Sequence, residues 1–487
     1  MSYDINPTNG SKVIGAVIIT RHGDRSGYYQ DPTAYAASDT TITPLGSAQT
    51  YQSGIQFREK YLVNDSSSAV AGVDWPLINL SEVDFMADAS EGQVIVDSAL
   101  SFAQGFFPAN LAAGTAMLAN GTPIASPLGG YIYVPVTTVE ADEEIALEGF
   151  TSCPAFVTRT NEVYKSSAFQ AKATEQKEYL DSLVSLLDGR AVTLENMYNV
   201  FDYMNVQNIH NATFRDVVSD GGKSDYIMRN SRYLADYHEQ AIFTDPDVDG
   251  IGNIAGQTII PPILDALQQI ANESMPLKLQ YIGIAYKPFL SLFNMTQSGI
   301  DGMVSYASAL AIEVRNGTDG MTVSMNFRNG SAKTDDNIGA DNPFNPVPLF
   351  GRDETEIPLQ TFIDTLKPHG ISELSTWCTR CGNTNSRGCE LLGSAGSSSS
   401  SDYASITSTS GRQHVSPVVA GVIGALVGIV VAGILFAALG LWGNKKGRGS
   451  GSGYVGGKRP ERETSYAGDT SYEMEEPSDG RKGGVEI

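Results

Sequence analysis

Near the start of the chain, Val13 to Thr20 (VIGAVIIT) form a nearly continuous β-branched run, the pattern of a strand buried on both faces of a parallel or mixed sheet, and it ends at Arg21. A helical pattern follows from Leu45 to about Tyr61. Leu180, Leu183, Val184 and Leu187 then fall at i, i+3, i+4, i+7 and stop at Gly189, and Leu194, Met197, Tyr198 and Phe201 repeat that spacing after a Thr193 N-cap. The middle of the chain is therefore mostly helical. Leu277 to Ile284 (LKLQYIGI) returns to strand character. Leu310, Ile312 and Val314 alternate on one side of a Gly-rich turn, and Met321, Val323, Met325 and Phe327 on the other, as a hairpin does. Strand, helices, then strands again predict an α/β sheet domain interrupted by a helical insertion at about 140–250.

Toward the C-terminus the pattern changes. Val418 to Trp442 run for 25 residues without a charge, which at about 1.5 Å per residue exceeds a hydrocarbon core of roughly 30 Å. This segment is expected to be one C-terminal transmembrane helix. Lys445, Lys446, Arg448, Lys458, Arg459 and Arg462 follow it, the cationic flank of a cytoplasmic side. Five segments result: an ectodomain at 1–375, a cysteine-bearing end at 376–392, a Ser/Gly stalk at 393–417, the span at 418–442 and a disordered cytoplasmic tail at 443–487. Gly424 and Gly428 within the span are spaced for close helix approach, so a homodimer is a possible partner arrangement. The first fifteen residues lack the basic and apolar regions of a secretory signal, and an upstream segment is expected to supply it. The plasma membrane is the default destination of such a chain.

The 487 residues carry 55 acidic and 32 basic side chains, a formal charge of -23. Such a polyanion repels nucleic acid, which is not expected as a partner. The residues after the span hold eight of each sign, so the deficit lies before it. Nine N-x-S/T sequons, at Asn9, Asn64, Asn79, Asn120, Asn211, Asn272, Asn294, Asn316 and Asn329, all precede the span, as an extracytoplasmic glycoprotein requires, several of them being expected to go unused. Cys153, Cys378, Cys381 and Cys389 lie on the same side and are expected to form two disulfides rather than a zinc site, with the pairing left open.

Candidate chemistry sits where the first strand ends, at Arg21-His22-Gly23-Asp24-Arg25. Ligands of open α/β sheets bind at the carboxyl ends of strands. Two guanidinium groups bracketing an imidazole would surround a phosphoryl group with bidentate donors and present a ring nitrogen to phosphorus. The bland alternative is a basic surface turn. His210, His238, His369 and His414 are read as structural or solvated.

These residues resemble the histidine phosphatase superfamily, in its histidine acid phosphatase and phytase branch, which has a phosphoglycerate mutase-like fold. The resemblance rests on RHGDR at 21–25, on Ile42-Thr-Pro-Leu-Gly46 with Gln49, on the helix Ser98-Ala with Phe102 and Gly105, and on a late strand from Met303 to Val314. It covers about residues 12–370 and implies a mixed-sheet, three-layer core. It also implies that His22 is the nucleophile, that Arg21 and Arg25 bind the substrate phosphate, and that no metal or other cofactor is needed. The chain departs from the family in three places: Ala87 stands where a further phosphate-binding arginine belongs, Ile284 and Ala285 stand where a His-Asp pair belongs, and Ser26 replaces a common proline. Losing a general acid costs about 10² to 10⁴ in rate, and one charge-assisted contact roughly 1.5 to 3 kcal/mol. Lys287 and Asp24 are compensating candidates. The expected function is a membrane-anchored phosphomonoester hydrolase of reduced efficiency, acting through a phosphohistidine. The alternative is a catalytically inactive glycoprotein of the same fold that binds a phosphorylated ligand, and a bare adhesion or scaffold ectodomain is the third reading.

Overall fold

The computed structural model of the protein describes residues 11–27, 40–63, 66–73, 79–89, 93–139, 144–219, 224–331, 333–334 and 337–394. The chain divides into two units at Ser400, and all described residues belong to the first. The expected span at 418–442, the tail at 443–487 and all but the first two residues of the stalk lie outside them, as do Asn9 and Asn64. Among the described residues no helix is long and apolar enough to cross a membrane.

Eight strands form one mixed sheet: β1 (Lys12–Arg21), β2 (Val83–Asp88), β3 (Val136–Val139), β4 (Leu279–Ile284), β5 (Ala309–Gly317), β6 (Gly320–Arg328), β7 (Asn345–Val347) and β8 (Glu356–Pro358). The order is β7-β6-β5-β1-β4-β2-β3, with β8 also on β6. From β1 through β4 and β2 to β3 the pairing is parallel, whereas β5 to β8 are antiparallel to their neighbours. β1 is central, and its alternate side chains enter two different cores. Ala16 and Ile18 pack with Phe57 of α1 (Pro44–Tyr61) and Phe102 of α2 (Val94–Phe106), while Val17 and Ile19 pack toward Ile259 and Ile263 of a later helix (Ile254–Ala271). The continuous β-branched run is thus a strand covered on both faces, as expected.

The described part of the insertion is mostly helical between Pro154 and Ser219 and again over Ser224–Phe243, and within it α3 (Met197–His210) begins after a 3₁₀ turn capped by Thr193, whose side chain accepts from the Asn196 amide. The helix Ile254–Ala271 had no counterpart in the sequence reading because it contains Pro261 and Pro262, which lack the amide protons that an interior turn uses. The late strand begins at Ala309 rather than Met303, a correction to the sequence reading: Met303 to Ser308 form a loop, pinned by Arg232 onto the Met303 carbonyl and by Asp236 accepting from the Met303 amide at 2.8 Å. The two expected disulfides are Cys153–Cys381 and Cys378–Cys389.

One close approach bears on the site. A Cβ on Gly46 would lie 2.0 Å from the Asp24 carbonyl oxygen, and one on Gly23 would lie 2.3 Å from the Gly46 carbonyl. The N-terminus of α1 and the RHGDR loop touch backbone to backbone. Gly46→Ala is expected to destabilise the fold by about 1–3 kcal/mol, the usual cost of overpacking, read as a lower denaturant midpoint; an unchanged midpoint would contradict this contact.

Candidate active site

The backbone of the RHGDR loop is held from every side. The Arg21 amide donates to Ser308 O at 2.9 Å, the His22 amide to Ile284 O at 3.3 Å, and the Ala307 amide to His22 O at 2.9 Å. Gly23 N–H donates to Ser98 Oγ at 3.0 Å and Asp24 N–H to Gln49 Oε1 at 2.9 Å. Gln49 and Ser98, both in the motif segments noted in the sequence, therefore fix the loop through its amides.

His22 is 2% exposed. Its Nδ1 lies 2.8 Å from the Gly23 carbonyl oxygen, which can only accept, so Nδ1 carries the proton and Nε2 keeps its lone pair. Burial pushes the His22 pKa well below its ordinary value, and Arg21, Arg25 and Lys287 add to this through like charge against the imidazolium. The imidazole is a neutral base in a cationic setting. The unfolded chain binds this proton below about pH 6.5 and the folded chain does not. His22 therefore contributes stability that is present above that pH and is lost as pH falls through it toward the depressed folded value. The expected result by ring ¹⁵N NMR is no titration of His22 around pH 6.5; a midpoint there would contradict the assignment of the neutral tautomer.

The two arginines are less free than the sequence suggests. Arg21 donates from Nη1 to Val304 O at 2.5 Å, and its guanidinium stacks 4.5 Å from the Tyr306 ring and 5.1 Å from that of Tyr286. Burial lowers its pKa. Arg25 is engaged fork to fork by Asp202 of α3, at 3.0 and 3.3 Å, with the side chains 1% and 5% exposed. The Tyr306 ring lies 5.5 Å from that of His22 and 5.9 Å from the Arg25 guanidinium. A cavity of about 160 Å³ opens beside this cluster. Arg21, Gln49, Asp202, Asn205, Arg232 and Tyr306 line it, and His22 does not. Arg328, fully buried on β6, holds the loop behind the cavity by donating to Ala307 O at 2.8 Å and Gly330 O at 2.9 Å, and burial draws its pKa down to about 9.

The compensating candidates take different places. Asp24 accepts from the Thr43 hydroxyl and lies 2.7 Å from His210 Nε2, and it is outside the cavity lining. It ties the loop to α1 and α3. Lys287, half-buried, lies with Nζ 4.7 Å over the Phe150 ring. Ile284 pairs with Arg21 across β4 and β1, and its carbonyl accepts from the His22 amide, so Ile284 and Ala285, both buried, follow the RHGDR backbone at the end of β4. Ala87, fully buried at the end of β2, pairs with Gly283.

Asp202 and Tyr306 were missed by the sequence reading, and His210, read as structural or solvated, meets Asp24 of the motif. A signal for Asp202 exists: Tyr198, Phe201, Asp202, Asn205 and Ile209 follow helical spacing, so a carboxylate stands in the face that looks onto the cavity. Tyr306 sits in an irregular loop, which periodicity does not report.

The profile of the histidine phosphatase superfamily (branch 2) matches residues 28–282, just over half of the chain, beginning after the RHGDR loop. The chain belongs to this family. It is similar to the lysosomal acid phosphatase of Xenopus laevis, 24% identical over 366 residues covering 72% of this chain and 75% of that protein. It is also similar to the prostatic acid phosphatase of Mus musculus, 23% identical over 397 residues covering 79% and 93%. In fold it is similar to the phytase of Klebsiella sp ASR1, with a TM-score of 0.51 and 12% identity over 74% of this chain and 96% of that one. The histidine phosphatase membership agrees with the motif reading, and the relatives support the general class of phosphomonoester hydrolase.

Proposed function

We propose that this histidine phosphatase hydrolyses phosphomonoesters through a phosphohistidine at His22, with efficiency reduced by the missing His-Asp pair and the missing arginine. The observation that carries this reading is the imidazole itself: Nδ1–H is anchored on the Gly23 carbonyl, and Nε2 is left unprotonated, with Arg21 and Arg25 close enough to act on the ring as like charges. Nε2 attacks phosphorus, the arginines neutralise the phosphoryl oxygens, and water then releases phosphate. Arg21 and Arg25 are the phosphate ligands in this scheme. Incubating the full-length protein with a labelled aryl phosphate, then quenching in alkaline denaturant, tests it. Label on His22 is the expected result; its absence with substrate bound would favour the other reading.

That other reading, a phosphatase fold that binds a phosphorylated ligand without turnover, draws on the Arg25–Asp202 pair, which fills the phosphate seat with a carboxylate. The apolar stretch 418–442 and its basic flank support a single-pass anchor with the catalytic unit outside the cytoplasm, in the plasma membrane by default. Exposed sequon asparagines at 79, 120, 211, 272, 316 and 329 fit a glycoprotein. The Asn294 amide instead donates to Asp245 O and Asn253 Oδ1 and is a poor acceptor site.

A further inference from the structure

Arg25 grips a carboxylate in the place where the motif is built for phosphate. The pair is a buried fork-to-fork contact, and Asp202 reaches it from α3, an element of the insertion rather than of the sheet. The same carboxylate faces the cavity, where Arg21 Nε and the Tyr306 hydroxyl are buried without a hydrogen-bond partner. A phosphate has the oxygens to engage these donors together with Arg25. Ile284 and Ala285, which end β4 next to the motif's backbone and stand where the resemblance implies a His-Asp pair, carry no proton donor. An acid for the leaving group must come from elsewhere, and Asp202 is the carboxyl group among the residues described as lining the cavity.

We propose that Asp202 is the general acid of the reaction, parked on Arg25 until a phosphate ester displaces it. The proposal rests on the phosphohistidine reading given above. The monoanionic ester takes over the Arg25 donors, and its proton passes to Asp202. With Arg25 taken by the ester, the Asp202 carboxylate is released from the guanidinium and faces the phosphate as the proton's acceptor. His22 Nε2 bonds to phosphorus as the bond to the leaving oxygen breaks, and Asp202 hands the proton to that oxygen. Water then attacks phosphorus, Asp202 takes its proton, the P–N bond breaks with its electrons returning to Nε2, and the proton leaves with the phosphate. Ester and water become alcohol and phosphate, with nothing else consumed, and Asp202 returns to Arg25.

The test compares 4-nitrophenyl phosphate with propyl phosphate on the full-length protein, its Asp202→Asn, Asp202→Glu and Tyr306→Phe variants, and follows inorganic phosphate as a competitive inhibitor. Asp202→Asn is expected to lose about 10² to 10⁴ in turnover of the propyl ester but less than about 10-fold on the nitrophenyl ester, whose leaving group needs no proton. Phosphohistidine still forms from the latter. Inorganic phosphate binds the variant about 10-fold tighter or more, since Arg25 no longer holds an anion. Asp202→Glu restores part of the propyl activity. Should Asp202→Asn fail to fold, the unmodified chain still reports: a working acid makes kcat/KM depend weakly on leaving-group pKa, and a steep dependence overturns the proposal. Equal losses on both esters, equal gains on both, or a propyl-selective loss in Tyr306→Phe instead would also overturn it while leaving the phosphohistidine intact. No phosphohistidine in the unmodified protein defeats the underlying hydrolase reading, and this proposal with it.

Discussion

His22→Ala in the full-length protein abolishes phosphoenzyme formation and lowers hydrolysis of an aryl phosphate by on the order of 10³ to 10⁶. The size follows from what is removed. In the proposed mechanism His22 supplies the attacking atom, so without it only background attack by water in a cationic pocket is expected. Stability changes less than activity. The imidazole is hydrogen-bonded to the adjacent Gly23 carbonyl, and its removal also relieves a buried ring crowded by positive charge. A change of about 1–3 kcal/mol is expected, with the acid-side destabilisation assigned to His22 gone. The measurements are alkaline-quench trapping and steady-state rates, with a denaturant melt as control. A variant that still traps label, or turns over within 10-fold of the parent, removes His22 from the mechanism.

Removing the Cys153–Cys381 bridge by a double alanine substitution costs about 3–5 kcal/mol, and removing Cys378–Cys389 about 2–3 kcal/mol. The first bridge spans 228 positions of sequence and the second 11, so the first restricts the unfolded chain far more. The long bridge also secures a packed seam. Trp377 Nε1 donates to Gly149 O at 2.8 Å, Asn383 Nδ2 to Ser152 O at 2.7 Å, and Arg387 Nη1 to Glu148 O at 3.0 Å. These contacts join the C-terminal helical segment to the entry of the insertion, whose helix α3 carries Asp202 and His210 onto the RHGDR loop. Urea unfolding of each double variant gives the comparison. Equal losses, or a larger loss from the short bridge, would show that loop closure is not what the long bridge contributes.

Much of the fold was legible along the chain. β1, α1, β4 and the β5–β6 hairpin were visible because period and length agree with local preference, and the even cysteine count outside the expected membrane segment matched two disulfides. The helix Ile254–Ala271 was hidden by Pro261 and Pro262, which tertiary packing overrides: its buried face, including Ile259, Ile263 and Leu267, covers one side of the sheet. The strand start at Met303 failed for the opposite reason, since an apolar stretch there serves as a loop clamped by Arg232 and Asp236. The histidines at 210 and 238 were read as structural or solvated; His210 meets Asp24, and His238 pairs with buried Glu239, which accepts from the Tyr286 hydroxyl.

The order of residues alone determined the nucleophile candidate and its two flanking arginines, because these are side chains next to one another on one strand end. It was silent on Asp202 and Tyr306. They lie 177 and 281 positions beyond Arg25, and only the packing of α3 and of the 303–308 loop against β1 brings them to it. Whether a guanidinium is free or already satisfied depends on which distant carboxylate can reach it through a desolvated space. That is a property of the folded chain, set by side-chain packing and dielectric rather than by neighbours in sequence.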